Sequence, residues 1–149
     1  MGTTDPGCYP GPVDTPDRGH REVEHTADWE LEVWAPDLAG LLAEAAQGMY
    51  ELMGIEVSDE ERRHRRLELE ADDHEQLLVS FLEELLHLAD LEDQAFDVSL
   101  LKVEGPRLLA RLEGGSIVSR TKEIKAVTYH RLKILDTERG LSTSIIFDV

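Results

Sequence analysis

The chain has 149 residues, of which 32 are acidic and 15 basic, giving a formal charge of −17 and a pI near 4.6. This balance argues against a protein that holds RNA or DNA by itself, because such binding depends on Lys and Arg neutralising phosphates. It favours a protein that docks on a basic partner or binds a cation, or else the charge serves only solubility.

Other composition features exclude further classes. The single cysteine, Cys8, rules out a disulfide framework and a thiolate metal cluster. No apolar run approaches the roughly 20 residues of a membrane span, and the N-terminus has no signal-peptide pattern. We therefore expect a cytoplasmic protein without a membrane segment.

Residues 1–20 are rich in Gly, Pro, Thr and Asp and almost free of aliphatic side chains. Such a segment buries too little apolar surface to offset the entropy of ordering. We predict a disordered tail over 1–20 and one folded domain over 21–149, with no internal repeat or linker.

The first ordered elements are a strand and a helix. Residues 30–34 (ELEVW) alternate polar and apolar side chains, which predicts a half-buried strand. Asp37 is placed to cap a following helix, whose apolar stripe recurs at helical spacing until Gly54 ends it.

The second half predicts one more helix among several strands. Residues 67–71 alternate again, and a helix starts at Asp72 with Glu75 as its capping-box partner. Strands follow at 96–104, 107–113, 124–135 and 141–149, with a hairpin turn at 137–140. This order predicts an α+β fold, a two-layer domain with a mostly antiparallel sheet and two amphipathic helices.

Three carboxylates mark the two ends of the ordered chain. Asp28 closes the phrase HTAD at 25–28, and the sequence ends with Asp148 and Val149. If the first and last strands lie side by side, both aspartates and the terminal carboxylate converge on one hard cation, for which calcium is the best match. The alternative is that both aspartates only cap turns.

Other motifs carry weaker signals. Residues 62–66 (RRHRR) are either a solvated turn paired with nearby acids or a small phosphate contact. Residues 90–94 lack the pattern of an EF-hand loop and are predicted to form a solvated turn after the second helix. The histidines lack zinc spacing. Alternation over 124–129 predicts a strand with Lys125 and Tyr129 on one face. We find no phosphate-binding glycine loop and no nucleophile elbow.

Several stretches, in this order and spacing, resemble the archease family: EHTAD at 24–28, GMYELM at 48–53, LEELL at 82–86, EIKAVTYH at 123–130 and IFDV at 146–149. The resemblance runs from about residue 23 to the end. Trp29, where the family commonly has a smaller aliphatic residue, and the N-terminal tail depart from the pattern.

The resemblance implies a non-catalytic accessory protein of the RtcB-type tRNA-splicing ligase, which joins RNA ends carrying a 3′-phosphate and a 5′-hydroxyl. It implies that the protein promotes guanylylation and repeated turnover of the ligase. It also implies a divalent cation, usually Ca²⁺ with Mg²⁺ or Mn²⁺ as alternatives, at Asp28, Asp148 and Val149. The resemblance further implies that His25 and Lys125 take part in activation of the partner.

Two other functions stay open at this point. One is a chaperone-like module for a tRNA methyltransferase or another RNA-modifying enzyme. The other is a metal-dependent hydrolase using Asp28 and Asp148, against which stands the lack of an evident general base or second metal site. The oligomeric state is not determined by the sequence.

Overall fold

The structure is a computed structural model that describes residues 8–9, 18–24, 28–129 and 131–149. It contains two helices and ten strands within these ranges, in the order β1 (Cys8–Tyr9), β2 (Gly19–Glu24), β3 (Trp29–Ala35), α1 (Leu38–Met53), β4 (Glu56–Val57), β5 (Arg63–Glu70), α2 (His74–Glu92), β6 (Gln94–Glu104), β7 (Arg107–Ser119), β8 (Ala126–Thr128), β9 (Leu135–Thr137) and β10 (Gly140–Asp148).

The strands form two five-stranded sheets with antiparallel pairing throughout the described pairs. In sheet one, β1 pairs with β6, β6 with β7, and β5 and β4 both pair with β7. In sheet two, β2 pairs with β3, β3 with β10, and β8 and β9 both pair with β10. The predicted hairpin turn is confirmed, because β9 returns directly into β10.

Helix α1 begins and ends where the sequence predicts. The Asp37 carboxylate accepts a hydrogen bond from the Gly40 N–H at 2.7 Å, which satisfies a donor in the first turn. Gly54 ends the helix with a φ of 62°, a left-handed conformation that glycine adopts at little cost. Gly48 lets the helix approach sheet two, since a Cβ there would lie 2.6 Å from the Leu31 side chain.

Helix α2 starts one residue later than predicted. Asp73, not Asp72, is the N-cap, and its carboxylate accepts from the Gln76 N–H at 2.7 Å. Glu75 does not complete a capping box, because its carboxylate accepts from the Ile134 N–H at 3.0 Å. A tertiary partner for Glu75 thus replaces the local one that the sequence suggests. The helix also runs through residues 90–92, which were predicted to form a turn.

The helices pack against both sheets and share one core. Helix α1 contacts strands β1 and β6 of sheet one and β2, β3 and β10 of sheet two, while α2 packs on β5, β6, β7 and β8. The α+β prediction, with mostly antiparallel strands and two helices, is confirmed. The division of the strands into two sheets is a feature that the sequence pattern does not reveal. Within the described ranges, neither helix combines the length and apolarity that a membrane crossing requires.

Two segments differ from their predictions. Residues 63–66 of the basic stretch belong to strand β5 instead of a turn. The predicted strand over 124–135 is wrong, because only β8 and β9 form there, with residues 129–134 between them. Ile124 and Val127 are both buried, so strict alternation fails. The backbone N–H groups of Thr121 and Lys122 donate to the Met53 carbonyl, which ties this segment to the end of α1.

The predicted tail, 1–20, lies mostly outside the described residues. Cys8 and Tyr9 pair with Lys102 and Leu101 of β6. Gly19 and His20 begin β2.

A charged cluster joins β2 to α1. His20 Nδ1 lies 3.0 Å from Glu44 Oε2, and His20 Nε2 contacts the Glu51 carboxylate. Arg18 Nε lies 3.4 Å from the other oxygen of Glu44, a residue that is only 8% exposed. Hydrogen bonding to Glu44, supported by Glu51, raises the pKa of His20 from 6.5 to about 9, against the opposing effect of burial. His20 is therefore a cation at neutral pH.

We expect this pairing to make stability depend on pH. The folded pKa of about 9 exceeds the unfolded value of 6.5, so the stabilisation is complete below pH 6.5 and lost as the pH rises through 9. Its size is about 2 to 3 kcal/mol, allowing for the exposure of Glu51. Urea unfolding of wild type and His20→Gln from pH 6 to 9.5 measures it. The two proteins should converge at high pH, and His87→Gln, at an exposed position, serves as the control. A constant difference across this range would contradict the assignment.

Candidate functional site

The pairing of the first long strand of sheet two with the last strand brings the two predicted aspartates together. The register of β3 and β10 places Phe147 opposite Trp29. Asp28 directly precedes Trp29 and Asp148 directly follows Phe147, so continuing this register by one residue sets the aspartates opposite each other. Both are exposed. Directly opposed residues in an antiparallel pair share one face of the sheet.

The alternation along β10 identifies that face. Ile145 and Phe147 are fully buried toward the helices, whereas Ser144 and Asp148 are exposed. Because side chains alternate along a strand, Asp148 lies on the outer face of sheet two. Asp28 falls on the same face by the parity of β3, in which Leu31 and Val33 are buried.

The segment that contains Lys125 contacts the end of β10 along the edge opposite β3. Asp148 pairs with Ala126 of β8, and the Lys125 N–H donates to the Asp148 carbonyl at 2.8 Å. The Val149 side chain is half-buried and packs against the core. These contacts keep Val149 at the same end of the sheet as Asp28 and Asp148.

A cation that the sequence did not reveal also lies at this end. Lys122 Nζ is 4.4 Å from the centroid of the Trp29 ring, within the range of a cation–π interaction. The sequence marks Trp29 only as a departure from the family pattern, and it predicts no contact for Lys122. The contact depends on tertiary structure, because the loop before β8 must lie beside the start of β3.

The remaining predicted site residues have different outcomes. His25 lies outside the described residues. Lys125 contributes its backbone N–H to the terminus, and its side chain is exposed. The predicted common face for Lys125 and Tyr129 does not form, because neither lies within the three-residue strand β8.

The basic stretch is neutralised by carboxylates. Ion pairs join Arg62 to Glu113 at 3.3 Å, Arg63 to Glu61 at 3.6 Å, Arg65 to Glu92 at 2.7 Å and Arg66 to Glu68 at 2.7 Å. Of the acids directly before this stretch, Asp59, Glu60 and Glu61, only Glu61 is an ion-pair partner. Two of these four pairs are local in sequence, and the other two reach β7 and α2.

The chemistry of the donors at the sheet end fits an oxygen-loving cation. Among the described residues, no group of three or more His, Cys, Asp or Glu side chains is arranged to hold a metal ion. The candidate set comprises two aspartate side chains and the main-chain carboxylate of Val149. Carboxylate oxygens without sulfur or nitrogen suit Ca²⁺, Mg²⁺ or Mn²⁺ and suit zinc poorly.

The fold and this sheet end define a small acidic α+β protein with two antiparallel sheets, two helices and carboxylates at the meeting point of its first and last long strands. The model of the Archease protein family matches residues 20–149. The chain belongs to the archease family.

Individual relatives agree with this assignment. Protein archease of Thermococcus kodakarensis is 35% identical over 125 residues, which cover 78% of this chain and 88% of that protein. The solution structure of protein 1598 of Methanobacterium thermoautotrophicum is 26% identical with a TM-score of 0.65, covering 88% and 99% of the two chains. The crystal structure of an archease from Thermotoga maritima is 26% identical with a TM-score of 0.66, covering 87% and 96%.

The contact between Lys122 and Trp29 should be measurable. Lys122→Met removes the charge and keeps an apolar stem, so we expect a loss of about 0.5 kcal/mol in the free energy of unfolding. A double-mutant cycle with Trp29→Leu in urea isolates this coupling. Lys125→Met combined with Trp29→Leu is the matched control and should show additive effects. If the effects of Lys122→Met and Trp29→Leu were also additive, the two side chains would have no measurable coupling and the prediction would be wrong.

Proposed function

We propose that this protein is a divalent-cation-binding accessory protein that activates an RtcB-type RNA ligase. In this role it promotes guanylylation and multiple turnover of a ligase that joins 3′-phosphate and 5′-hydroxyl ends in tRNA splicing or RNA repair. The observation that carries the proposal is the β3–β10 register, with Asp28 directly before β3 and Asp148 at the end of β10, beside Val149. Membership of the archease family supports it.

Asp28, Asp148 and the Val149 carboxylate are the residues that would hold the ion, with Ca²⁺ favoured over Mg²⁺ or Mn²⁺ by the all-oxygen donor set. When bound, such an ion supplies a compact positive charge that orients oxygen ligands. The chain's own residues hold the terminus in place. Lys125 does so through its backbone N–H, and Val149 through its packing on the core.

The proposed role is action on another protein without catalysis by this chain. The net charge of −17 disfavours direct binding to a phosphate backbone, while it favours approach to the basic, RNA-binding cleft that a ligase must possess. The exposed aspartates at the sheet end form the part of the surface best suited to enter such a cleft. Lys122 and Lys125 lie beside them on the segment before β8.

The cation site can be tested without a partner. Calorimetric titration with Ca²⁺ should show one site in the wild type, and Asp148→Asn should weaken binding about tenfold or more, because one anionic ligand is lost. Asp59→Asn, an equal charge change at an exposed turn, is the matched control and should bind as the wild type does.

Extending the chain beyond Val149 tests the terminal ligand. The added residues convert its carboxylate into a neutral peptide carbonyl and should also weaken Ca²⁺ binding. Unchanged affinity in both Asp148→Asn and the extended protein would rule out this site. Melting curves recorded without calcium check that each variant is folded.

Ligase activation is tested with a purified RtcB-type ligase, GTP and divalent metal. We expect the protein to raise both the guanylylated fraction of the ligase and the number of ligations per enzyme. Asp28→Asn and Lys125→Met should reduce both by roughly tenfold, while Asp59→Asn should stimulate normally. If wild-type protein leaves guanylylation and turnover unchanged, the proposed partner is wrong even where calcium binding persists.

A chaperone-like role is a second candidate, because the Thermotoga maritima structure is described as an archease and possible chaperone. For this chain the client would be a tRNA methyltransferase or another RNA-modifying enzyme. Light scattering of such a methyltransferase during heating distinguishes the roles. Suppressed aggregation without any effect on a ligase would favour the chaperone function.

A further inference from the structure

The cations without carboxylate partners concentrate on one segment of this acidic protein. The three arginines of β5, Arg107 of β7 and Arg120 after β7 form ion pairs. In contrast, neither Arg131 nor Lys133, both exposed, makes an ion pair with any residue that the structure describes. They lie in the loop between β8 and β9, beside the outer face of sheet two. In a protein of net charge −17, these two cations make a locally positive surface that can attract an anionic ligand.

They face a groove of about 450 Å³. Ser142 and Ser144 of β10 form its floor, since small side chains there leave space between taller neighbours. The register places Ser142 between Trp34 of β3 on one side and Leu135 of β9 on the other. The walls of this groove therefore include an indole ring and an aliphatic side chain. Its volume is typical of small-molecule sites.

The Trp34 ring packs over a glycine of the neighbouring strand. Gly19 of β2 pairs with Trp34, and a Cβ at Gly19 would lie 2.7 Å from the indole. The ring therefore covers Gly19, yet Trp34 remains 36% exposed and lines the groove. Leu135, on the opposite wall, is 51% exposed. Two large apolar side chains thus lie open to solvent on the two sides of the serine floor.

The cationic rim is fixed by backbone contacts. The Thr143 hydroxyl donates to the Lys133 carbonyl at 2.8 Å, and Thr143 itself is only 5% exposed. Arg131 has a φ of 58°, a left-handed conformation that non-glycine residues adopt at a cost. The loop thus holds both side chains along the groove. Glu32, on the far wall, is paired with Arg21.

We propose that this groove binds a nucleobase carrying a phosphate, with the base stacked on Trp34 and the phosphate on Arg131 and Lys133. An aromatic platform combined with adjacent cations is the arrangement that recognises single nucleotides and single-stranded ends. The serine hydroxyls of the floor supply hydrogen bonds to the base edge or the sugar. A site with two cations fits one nucleotide and does not require the extended basic surface that this protein lacks.

The nucleotide groove is separate from the carboxylate site on the same face. Ser144 precedes Asp148 by four residues on β10, which corresponds to roughly 13 Å along a strand. Ligand binding in the groove is therefore measurable whether or not the sheet end binds a cation. A negative result for ligase activation would therefore leave this proposal unaffected, and the reverse is also true.

The test uses the two tryptophans as internal reporters. In ¹H–¹⁵N spectra of the intact protein, titration with GMP, AMP or UMP should shift the Trp34 indole signal saturably and leave that of Trp29 nearly unchanged. Trp34→Leu should weaken binding about tenfold or more, and Lys133→Gln about fivefold to tenfold. Arg111→Gln removes an exposed cation from sheet one as the matched control and should leave the affinity unchanged.

Further titrations decide the source of the ligand. Tighter binding of a short single-stranded oligoribonucleotide than of the mononucleotides supports an RNA end, and the reverse order supports a free nucleotide. Inorganic phosphate that binds as tightly as GMP would overturn recognition of the base. A glutamate-rich peptide that shifts Trp34 at lower concentration than any nucleotide would reassign the groove to a protein partner. No saturable shift at about 10 mM nucleotide would overturn the proposal, and Lys133→Gln keeps it testable if Trp34→Leu fails to fold.

Discussion

The antiparallel pairing of strand β10 organises this molecule, because β10 pairs with β3 on one edge and with both β8 and β9 on the other. Through it the first long strand of sheet two and the chain terminus become neighbours, although about 120 residues separate them in sequence. Its inner face supplies Ile145 and Phe147 to the core. Its outer face carries the serine floor of the groove and, at the end, Asp148. A disturbance of this one ladder would therefore reach both candidate sites.

Electrostatics divide the surface into two kinds of region. On sheet one, arginines in β5 and directly before it pair with carboxylates on β5, β7 and α2. Exposed pairs of this kind contribute little stability but neutralise their charges locally. Beside sheet two, Lys122 lies over the Trp29 ring, and Arg131 and Lys133 line the groove without an ion-pair partner among the described residues. The face with uncompensated charge of both signs is the face best suited to a partner or ligand.

Helix α1 gives this face a rigid support. Gly48 permits close approach to Leu31, and the charged cluster of His20 and Glu44 fastens β2 to the same side of the helix. At its C-terminal end the Met53 carbonyl accepts from the segment that leads to Lys125. The strands and the loop that border the outer face are thus attached to one element, which limits how far the two aspartates and the groove walls move relative to each other.

Local chemistry was sufficient to predict α1 with its caps, strand β3, the last hairpin and the α+β class, because capping, periodicity and turn residues act within a few positions of each other. It also singled out Asp28 and Asp148, since carboxylates at strand ends are visible as a pattern. What the sequence could not determine depends on partners far along the chain. The bond from Ile134 to Glu75, the packing of Trp29 under Lys122, the division into two sheets and the walls of the groove arise only when distant segments meet. The sequence therefore specified the elements and the candidate carboxylates, whereas long-range packing and strand register decided which of them became neighbours.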